Sequence, residues 1–260
     1  MALMLAALII MPAAFLYLAV KMGLTPLNAV CLALLSATAC STGTWTIING
    51  PNASKEMFKP FEEEFKKQLT VVEEQIKAQN KEGVDPQEII DVLKENFDSI
   101  VEMSRPLVPS ALYFMWHLVS LLALYSLSAW LAPKIGFKME PLPPFKDWCF
   151  DWNLIWLYIA GWVMYLLLGN MEDLPGSGII RILGANCFMM SSFLYFIAGF
   201  SLLFFMYEKY KIGLFSRVGL SLIALIFAQF LVWLGVIDVW AQLRTRKLTP
   251  QVTDDSDDDY

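Results

Sequence analysis

The side chains that could do chemistry in this sequence are the few polar residues that interrupt long apolar runs. They are Arg181, Asn186, Tyr195, Gln229 and Asp238. A polar group in hydrocarbon costs free energy, so it must face a cavity, a partner or an interface. Asn186, Gln229 and Tyr195 carry hydrogen-bond donors and acceptors in the last apolar runs, and we expect any small-solute site to use Asn186 with Gln229 before Tyr195.

Each of these residues also has a structural interpretation. Asn186 and Gln229 could form helix–helix hydrogen bonds, worth about 0.6 kcal/mol each in membranes. Arg181 lies close enough to the end of an apolar run to reach water, and Asp238 lies near Arg244, so both are explained by anchoring at the membrane interface. Tryptophan side chains at 162 and 233 would supply the apolar walls of a pocket.

Familiar catalytic and metal-binding patterns are absent from the sequence. There is no HExxH, paired CxxC, Walker, GxSxG or dinucleotide-binding glycine motif. His117 is the single histidine, and a lone histidine without carboxylate or thiolate neighbours is typical of a structural hydrogen bond. We therefore expect no enzyme activity, no catalytic residue, no metal and no cofactor. The net charge of −6 without a basic face excludes nucleic-acid binding.

The elements that hold these residues are predicted to be membrane helices. With 57% hydrophobic residues in 260, the composition indicates an all-α polytopic membrane protein. We predict about six spans, near residues 1–20, 27–48, 107–131, 153–168, 179–207 and 218–243. The domain organisation is then two helices in 1–50, an extramembrane segment in 51–105, membrane helices in 106–243, and a basic stop with an acidic disordered tail in 244–260.

Small residues are spaced to let these helices approach closely. Two rows on the fifth predicted span recur every seven residues, as does one row on the sixth, and an alanine row on the second recurs every four. These rows are Gly184, Ser191 and Ala198; Ala185, Ser192 and Gly199; Ser221, Ala228 and Gly235; and Ala29, Ala33 and Ala37. Membrane helices commonly associate through such rows. The rows predict close helix contacts.

Residues 51–105 predict a helical hairpin outside the bilayer. The segment holds 8 Lys or Arg and 13 Asp or Glu residues. Its apolar residues recur at intervals of three and four, which places them on one face of each helix. The first face comprises Phe58, Phe61, Phe65, Leu69, Val72 and Ile76, and the second comprises Ile89, Leu93, Phe97 and Ile100. We expect the two faces to bury each other or to bind a partner. Lipid binding is disfavoured by the acidic excess.

A family resemblance rests on the stretches NCFMMSSFLYFIAGFSLLFFMYEKYKIGLFSRV, IDVWAQLRTRK and PLPPFKDW, and extends to MPAAFLYLAVKMGLTP. These stretches resemble the YybS-like family of bacterial multi-pass membrane proteins, whose members carry further membrane helices ahead of the last stretch. The resemblance implies the bacterial cytoplasmic (inner) membrane. The family is similar to the S components of energy-coupling-factor transporters, which capture vitamins or metal ions.

Two functions are consistent with these observations. The first is a transporter-like membrane component that binds a small molecule. The second is a non-enzymatic membrane scaffold that recruits a membrane or soluble protein through the 51–105 hairpin. A pocket with several inward polar groups would favour the first, and an exposed apolar face on the hairpin would favour the second.

Overall fold

The computed structural model describes residues 2–50, 53–79, 86–171, 174–241 and 243–244. These residues form nine α-helices and short 3₁₀ turns, with no strand among them. The helices are α1 (Ala2–Lys21), α2 (Pro26–Asn49), α3 (Ala53–Gln79), α4 (Pro86–Ser104), α5 (Val108–Leu131), α6 (Leu154–Leu166), α7 (Ser177–Lys209), α8 (Leu214–Ile226) and α9 (Ala228–Ala241). The predicted all-α helical fold is confirmed.

Helix boundaries follow local chemistry where the chain turns. Pro26 occupies the first turn of α2, where its missing N–H would have no helical partner. The same helix ends at Asn49. The next residue, Gly50, has a φ of 74°, which a residue without a β-carbon adopts readily. At the end of α5, a 3₁₀ turn over Ala132–Ile135, with Pro133 in its first positions, closes at Gly136 in the left-handed conformation. These residues set the lengths of the apolar helices.

Three of the described helices are long and apolar enough to cross a bilayer. They are Pro26–Asn49, Val108–Ile135 (α5 with the turn that follows it) and Ser177–Lys209. The bent pair α8–α9 is a fourth when it is counted as one span. The apolar part Ile10–Lys21 of α1, and α6, are shorter. The structure therefore supports a helical membrane protein, while the number of six spans remains a prediction.

The last predicted span is broken. Instead of one straight helix over 218–243, the chain forms α8 and α9, which meet at an angle of 99°. The break falls at Phe227, whose φ of −99° and ψ of 48° leave the helical region. Neither proline nor glycine lies in the flanking sequence ALIFAQF. The row of Ser221, Ala228 and Gly235 is consequently divided between two helices.

The described chain divides into two compact units. One comprises Met1–Leu142 with Ile159–Met190, and the other comprises Pro143–Tyr158 with Ser191–Tyr260. In the first unit, α1, α2 and α5 pack together. The alanine row of α2 is fully buried, with no exposed surface on Ala29, Ala33 or Ala37. The close contact predicted from this row is confirmed.

Glycines mark a second close contact in the first unit. A β-carbon on Gly161 of α6 would overlap the backbone of Phe188 in α7. One on Gly184 of α7 would overlap Met164 and the backbone nitrogen of Tyr165 in α6. Glycine is required on both sides because the backbones approach within the space that a side chain would need.

The second unit has its own glycine crossing, between α7 and α9. A β-carbon on Gly199 would overlap the carbonyl of Leu231, and one on Gly235 would overlap the carbonyl of Tyr195. Ala198 and Gly235 are buried at this crossing. The small residues thus pack α7 against α9, as their spacing predicts.

Candidate functional sites

Asn186 forms a helix–helix hydrogen bond in the first unit. Its amide nitrogen donates to the carbonyl of Ile182, 2.8 Å away on the same helix. Its amide oxygen accepts from the hydroxyl of Ser110 on α5. Ser110 is fully buried. Both ends of the Asn186 side chain are therefore engaged in packing α7 against α5.

Gln229 and Tyr195 lie in the second unit, in different surroundings. Gln229 is exposed at the second position of α9, directly after the break. Tyr195 has no exposed surface, and its ring meets that of Tyr158 edge-on with centroids 5.5 Å apart. The predicted pocket walls, Trp162 and Trp233, are both exposed. The described contacts thus give Asn186 a packing role, and a joint solute site of the three residues remains a prediction.

His117 contributes a buried hydrogen bond between α2 and α5. Its Nε2 lies 2.9 Å from the hydroxyl of Ser41, and both side chains are buried. This is the structural role expected for a lone histidine. Among the described residues, no group of three or more histidine, cysteine, aspartate or glutamate side chains is placed to hold a metal ion.

Asp238 and Arg244 form a buried ion pair in the second unit. The guanidinium Nε lies 2.8 Å from a carboxylate oxygen of Asp238, and the two side chains are 9% and 1% exposed. The guanidinium also donates to the hydroxyl of Ser201 at 2.9 Å and to the carbonyl of Ala198 at 3.1 Å, both on α7. A further donation reaches the carbonyl of Lys146. The arginine therefore joins the end of α9 to α7 and to the loop before α6.

Sequence reasoning identified the nearness of Asp238 and Arg244 but interpreted Asp238 as an interface anchor. Arg181, the other residue interpreted in this way, is exposed. For Asp238 the structure differs, because Ser201 and two backbone carbonyls converge on the arginine. Ser201 stands out in the sequence only as a small polar residue on an aromatic-rich helix. Nothing in its spacing indicates that it receives an arginine from about forty residues away.

The loop before α6 is held along α7 by aromatic and polar contacts. Phe145 meets Phe204 edge-on at 5.4 Å, and Trp148 donates its indole N–H to the carbonyl of Pro143. Lys146 pairs with Glu208 at 2.6 Å. The hydrogen bond that the Lys146 ammonium donates to Glu208, together with the negative charge of Glu208, raises the pKa of Lys146 above its ordinary value. These contacts attach the loop to α7.

The hairpin helices α3 and α4 meet through stacked phenylalanines. The rings of Phe65 and Phe97 lie 3.5 Å apart between centroids and 6° from parallel. Arg105, after α4, pairs with Glu62 of α3 at 2.5 Å. Because Phe65 follows Glu62 while Phe97 precedes Arg105, the helices run antiparallel, as predicted. The connecting residues 80–85 lie outside the described part of the chain.

The buried face of α4 differs from the predicted one. Ile90 and Val101 are buried, whereas Ile89, Leu93 and Ile100, which were predicted to be in the seam, are exposed. On α3, Leu69 is buried but Phe61 is 70% exposed. The side chain of Ile76 lies outside the described residues. The seam is thus rotated on α4 by about 60°, and Phe97 belongs to both the predicted and the observed face.

This rotation leaves a second apolar face on α4 uncovered in the described structure. We call it the open face. Its members are Ile89 (38% exposed), Val92 (52%), Leu93 (38%) and Ile100 (61%). Their spacings of three, one and seven residues place them within an arc of about 100° on one side of the helix. The helix therefore presents one apolar face to α3 and another to its surroundings.

Comparison with protein families matches the model described as a predicted membrane protein, DUF2232, to residues 1–239. The chain belongs to this family. The DUF2232 match includes α3, α4 and Asp238 but ends before Arg244. Comparison with curated proteins and comparison with solved structures gave no match.

Membership of the DUF2232 family establishes a membrane protein. It gives no support to the narrower resemblance to YybS-like proteins or to the likeness to transporter S components. The hairpin lies inside the matched region.

Proposed function

We propose that this DUF2232 protein is a membrane-anchored docking protein, without enzyme activity, that binds a protein partner through the hairpin of α3 and α4. The observation that carries the proposal is the open face of α4. Ile89, Val92, Leu93 and Ile100 are exposed, although Ile90 and Val101 of the same helix are buried. A continuous exposed apolar stripe on a water-facing helix is typical of a binding surface.

The charge of the hairpin argues against a lipid surface as the occupant. Residues 51–105 carry 13 acidic and 8 basic side chains. Amphipathic helices that lie on anionic membranes are rich in Lys and Arg beside their apolar face. An acidic hairpin is instead repelled by anionic headgroups. A protein surface is the better match for the open face.

Small-molecule binding in the bacterial inner membrane is the second function under consideration. In this function the solute would bind to Asn186, Gln229 and Tyr195, and the protein would act as an uptake component. The contacts of Asn186 with Ser110 and Ile182 favour a packing role for that residue, so we place docking first. A panel of vitamins and metal ions can be screened by thermal unfolding. A compound that stabilises the wild type but not an Asn186→Leu, Gln229→Leu variant would place small-molecule binding first.

Site-specific photocrosslinking in native membranes tests the docking function. A photoreactive amino acid at Leu93 should give a discrete protein adduct, because this side chain lies in the open face. The matched control is Thr70, which is exposed on the polar side of α3. The same adduct should be absent at Thr70 and should disappear when Val92→Ser and Ile100→Ser are added to the Leu93 variant.

Three crosslinking outcomes contradict the proposal. They are adducts with lipid alone at Leu93, the same set of protein adducts at both positions, and no adduct at Leu93. An adduct with twice the mass of the chain would identify a second copy as the partner. Such a result would retain docking while assigning it to self-association.

A further inference from the structure

The acidic side chains of α4 form a stripe that runs alongside the open face. Asp91, Glu95, Asp98 and Glu102 follow one another at intervals of four, three and four residues, and all are exposed. On a helix this spacing confines them to an arc of about 60°. We call this row the acidic stripe.

The acidic stripe borders the open face on the side away from α3. At ~100° per residue, Val92 on one edge of the open face and Glu95 on the near edge of the stripe are about 60° apart. The seam residues Ile90 and Val101 lie on the other side of the open face. A helix laid on the open face would therefore have α3 on one flank and four carboxylates on the other.

We propose that the partner of the open face is a basic amphipathic helix of another protein, with apolar residues for the open face and Lys or Arg for the acidic stripe. This inference rests on the proposed docking function. The open face extends from Ile89 to Ile100, a rise of about 17 Å along the axis. The bound segment is accordingly about three helical turns long.

Antiparallel pairing with a second copy of the chain fits this surface poorly. Lys94 is the one basic residue between Asp91 and Glu102, which leaves α4 strongly acidic over the open face. In antiparallel pairing of two α4 helices through their open faces, acidic stripe would face acidic stripe. Like charges across an interface disfavour association, whereas opposite charges stabilise it and accelerate encounter. Charge complementarity thus selects a basic partner.

The inference can be tested with synthetic probes. The full chain is placed in nanodiscs of zwitterionic lipid and titrated with a fluorescent helical peptide of leucine and lysine, with leucine at intervals of three and four. The matched probe carries glutamate in place of every lysine. Empty nanodiscs give the lipid background, which is subtracted. We expect the lysine peptide to bind about tenfold or more tightly, as a few exposed charge pairs would provide, and to weaken as salt rises.

Two variants separate the charge from the apolar surface. Glu95→Lys with Asp98→Lys should abolish or invert the preference for the lysine peptide. Val92→Ser with Leu93→Ser should weaken both peptides. Protease resistance of the hairpin provides the folding control in each variant, since neither pair includes the buried seam residues Ile90 and Val101.

The outcomes distinguish failure of this inference from failure of docking. If both peptides bind equally and the Val92→Ser, Leu93→Ser variant abolishes their binding, the inference of a basic partner is wrong and the docking function is retained. Tighter binding of the glutamate peptide overturns it in the same way. Binding of neither peptide overturns the basic partner as well, and a Leu93 protein adduct would then still support docking. Binding of neither peptide together with no Leu93 adduct overturns both.

Discussion

The α7–α9 crossing and the α3–α4 hairpin are both helix contacts reinforced by an arginine–carboxylate pair. The side chains at the two contacts differ in size. The crossing brings backbones together at Gly199 and Gly235. The hairpin stacks the large rings of Phe65 and Phe97. Lipid tails are as apolar as side chains, so helices in a bilayer gain from close backbone packing, whereas helices in water gain from burying large apolar surfaces. The difference is the one expected for a crossing in lipid and a hairpin in water, as the sequence predicts.

The ion pairs differ in the same way. Asp238 and Arg244 are 1% and 9% exposed, whereas Glu62 and Arg105 are 27% and 29% exposed. A buried pair is costly to break because the remaining charge stays in a low-dielectric surrounding. A pair that water reaches contributes little. The two regions can therefore be compared by the same kinds of substitution.

The largest effect is expected for Arg244→Met. The substitution leaves the Asp238 carboxylate buried and unpaired, which should lower the free energy of unfolding by about 3–5 kcal/mol. Unfolding in mixed micelles would measure it. Adding Asp238→Leu should restore most of the loss, because an apolar pair replaces the ionic one.

The matched control is Arg105→Met in the hairpin. Its loss should be at most about 1 kcal/mol, and it should shrink with added salt. Equal losses for Arg105→Met and Arg244→Met would mean that burial does not distinguish the two pairs. If the Arg244→Met, Asp238→Leu double variant is as unstable as Arg244→Met alone, the broken ionic contact is not the cause of the lost stability.

A somewhat smaller effect is expected for Gly235→Leu. Its side chain would overlap the carbonyl of Tyr195 and separate α9 from α7, at a cost of about 3 kcal/mol, the upper end for overpacking. Thermal unfolding in detergent would show the change. Gly219→Leu on α8 is the control, because a β-carbon there meets no atom within 4 Å. If both leucine variants unfold alike, the crossing is not limited by backbone approach.

A smaller effect than at Gly235 is expected for Phe97→Asp in the hairpin. It removes the stack with Phe65 and places a charge at the seam, at a cost of about 2 kcal/mol of local stability. Limited proteolysis between residues 53 and 105 should accelerate. Phe61→Asp provides the comparison, since Phe61 is 70% exposed and its replacement should leave cleavage unchanged. Indistinguishable cleavage of the two variants would place the seam elsewhere.

The sequence predicts the helices and their small-residue contacts well, because periodicity and spacing are properties of one chain segment. It does not predict which face of α4 meets α3. Apolar residues at 89, 90, 93, 97, 100 and 101 support two overlapping faces. The choice depends on how the residues of α3 pack, and so Ile90 and Val101 are buried where Ile89 and Ile100 were expected.

The candidate residues show the same limit. The residue type of Asn186 and its depth in an apolar run predict a helix–helix hydrogen bond. Its partner Ser110 lies 76 residues away, and no pattern in the sequence identifies it. The break at Phe227 also has no local cause, since proline and glycine are absent around it. Contacts formed by distant segments, such as Gly235 with Tyr195, set the path of α9.

The unequal lengths of α6 and α7 have a consequence for the lipid around them. The 13 residues of α6 rise about 20 Å and the 33 residues of α7 about 50 Å, whereas the hydrocarbon layer is about 30 Å thick. The two helices touch at Gly161 and Gly184, so one bilayer must serve both. For α6 to reach both headgroup layers, the bilayer beside it must thin by about 10 Å, while α7 accommodates other thicknesses by changing its tilt. If α6 crosses the bilayer, as the sequence predicts, acyl-chain length therefore acts on this pair of helices through α6.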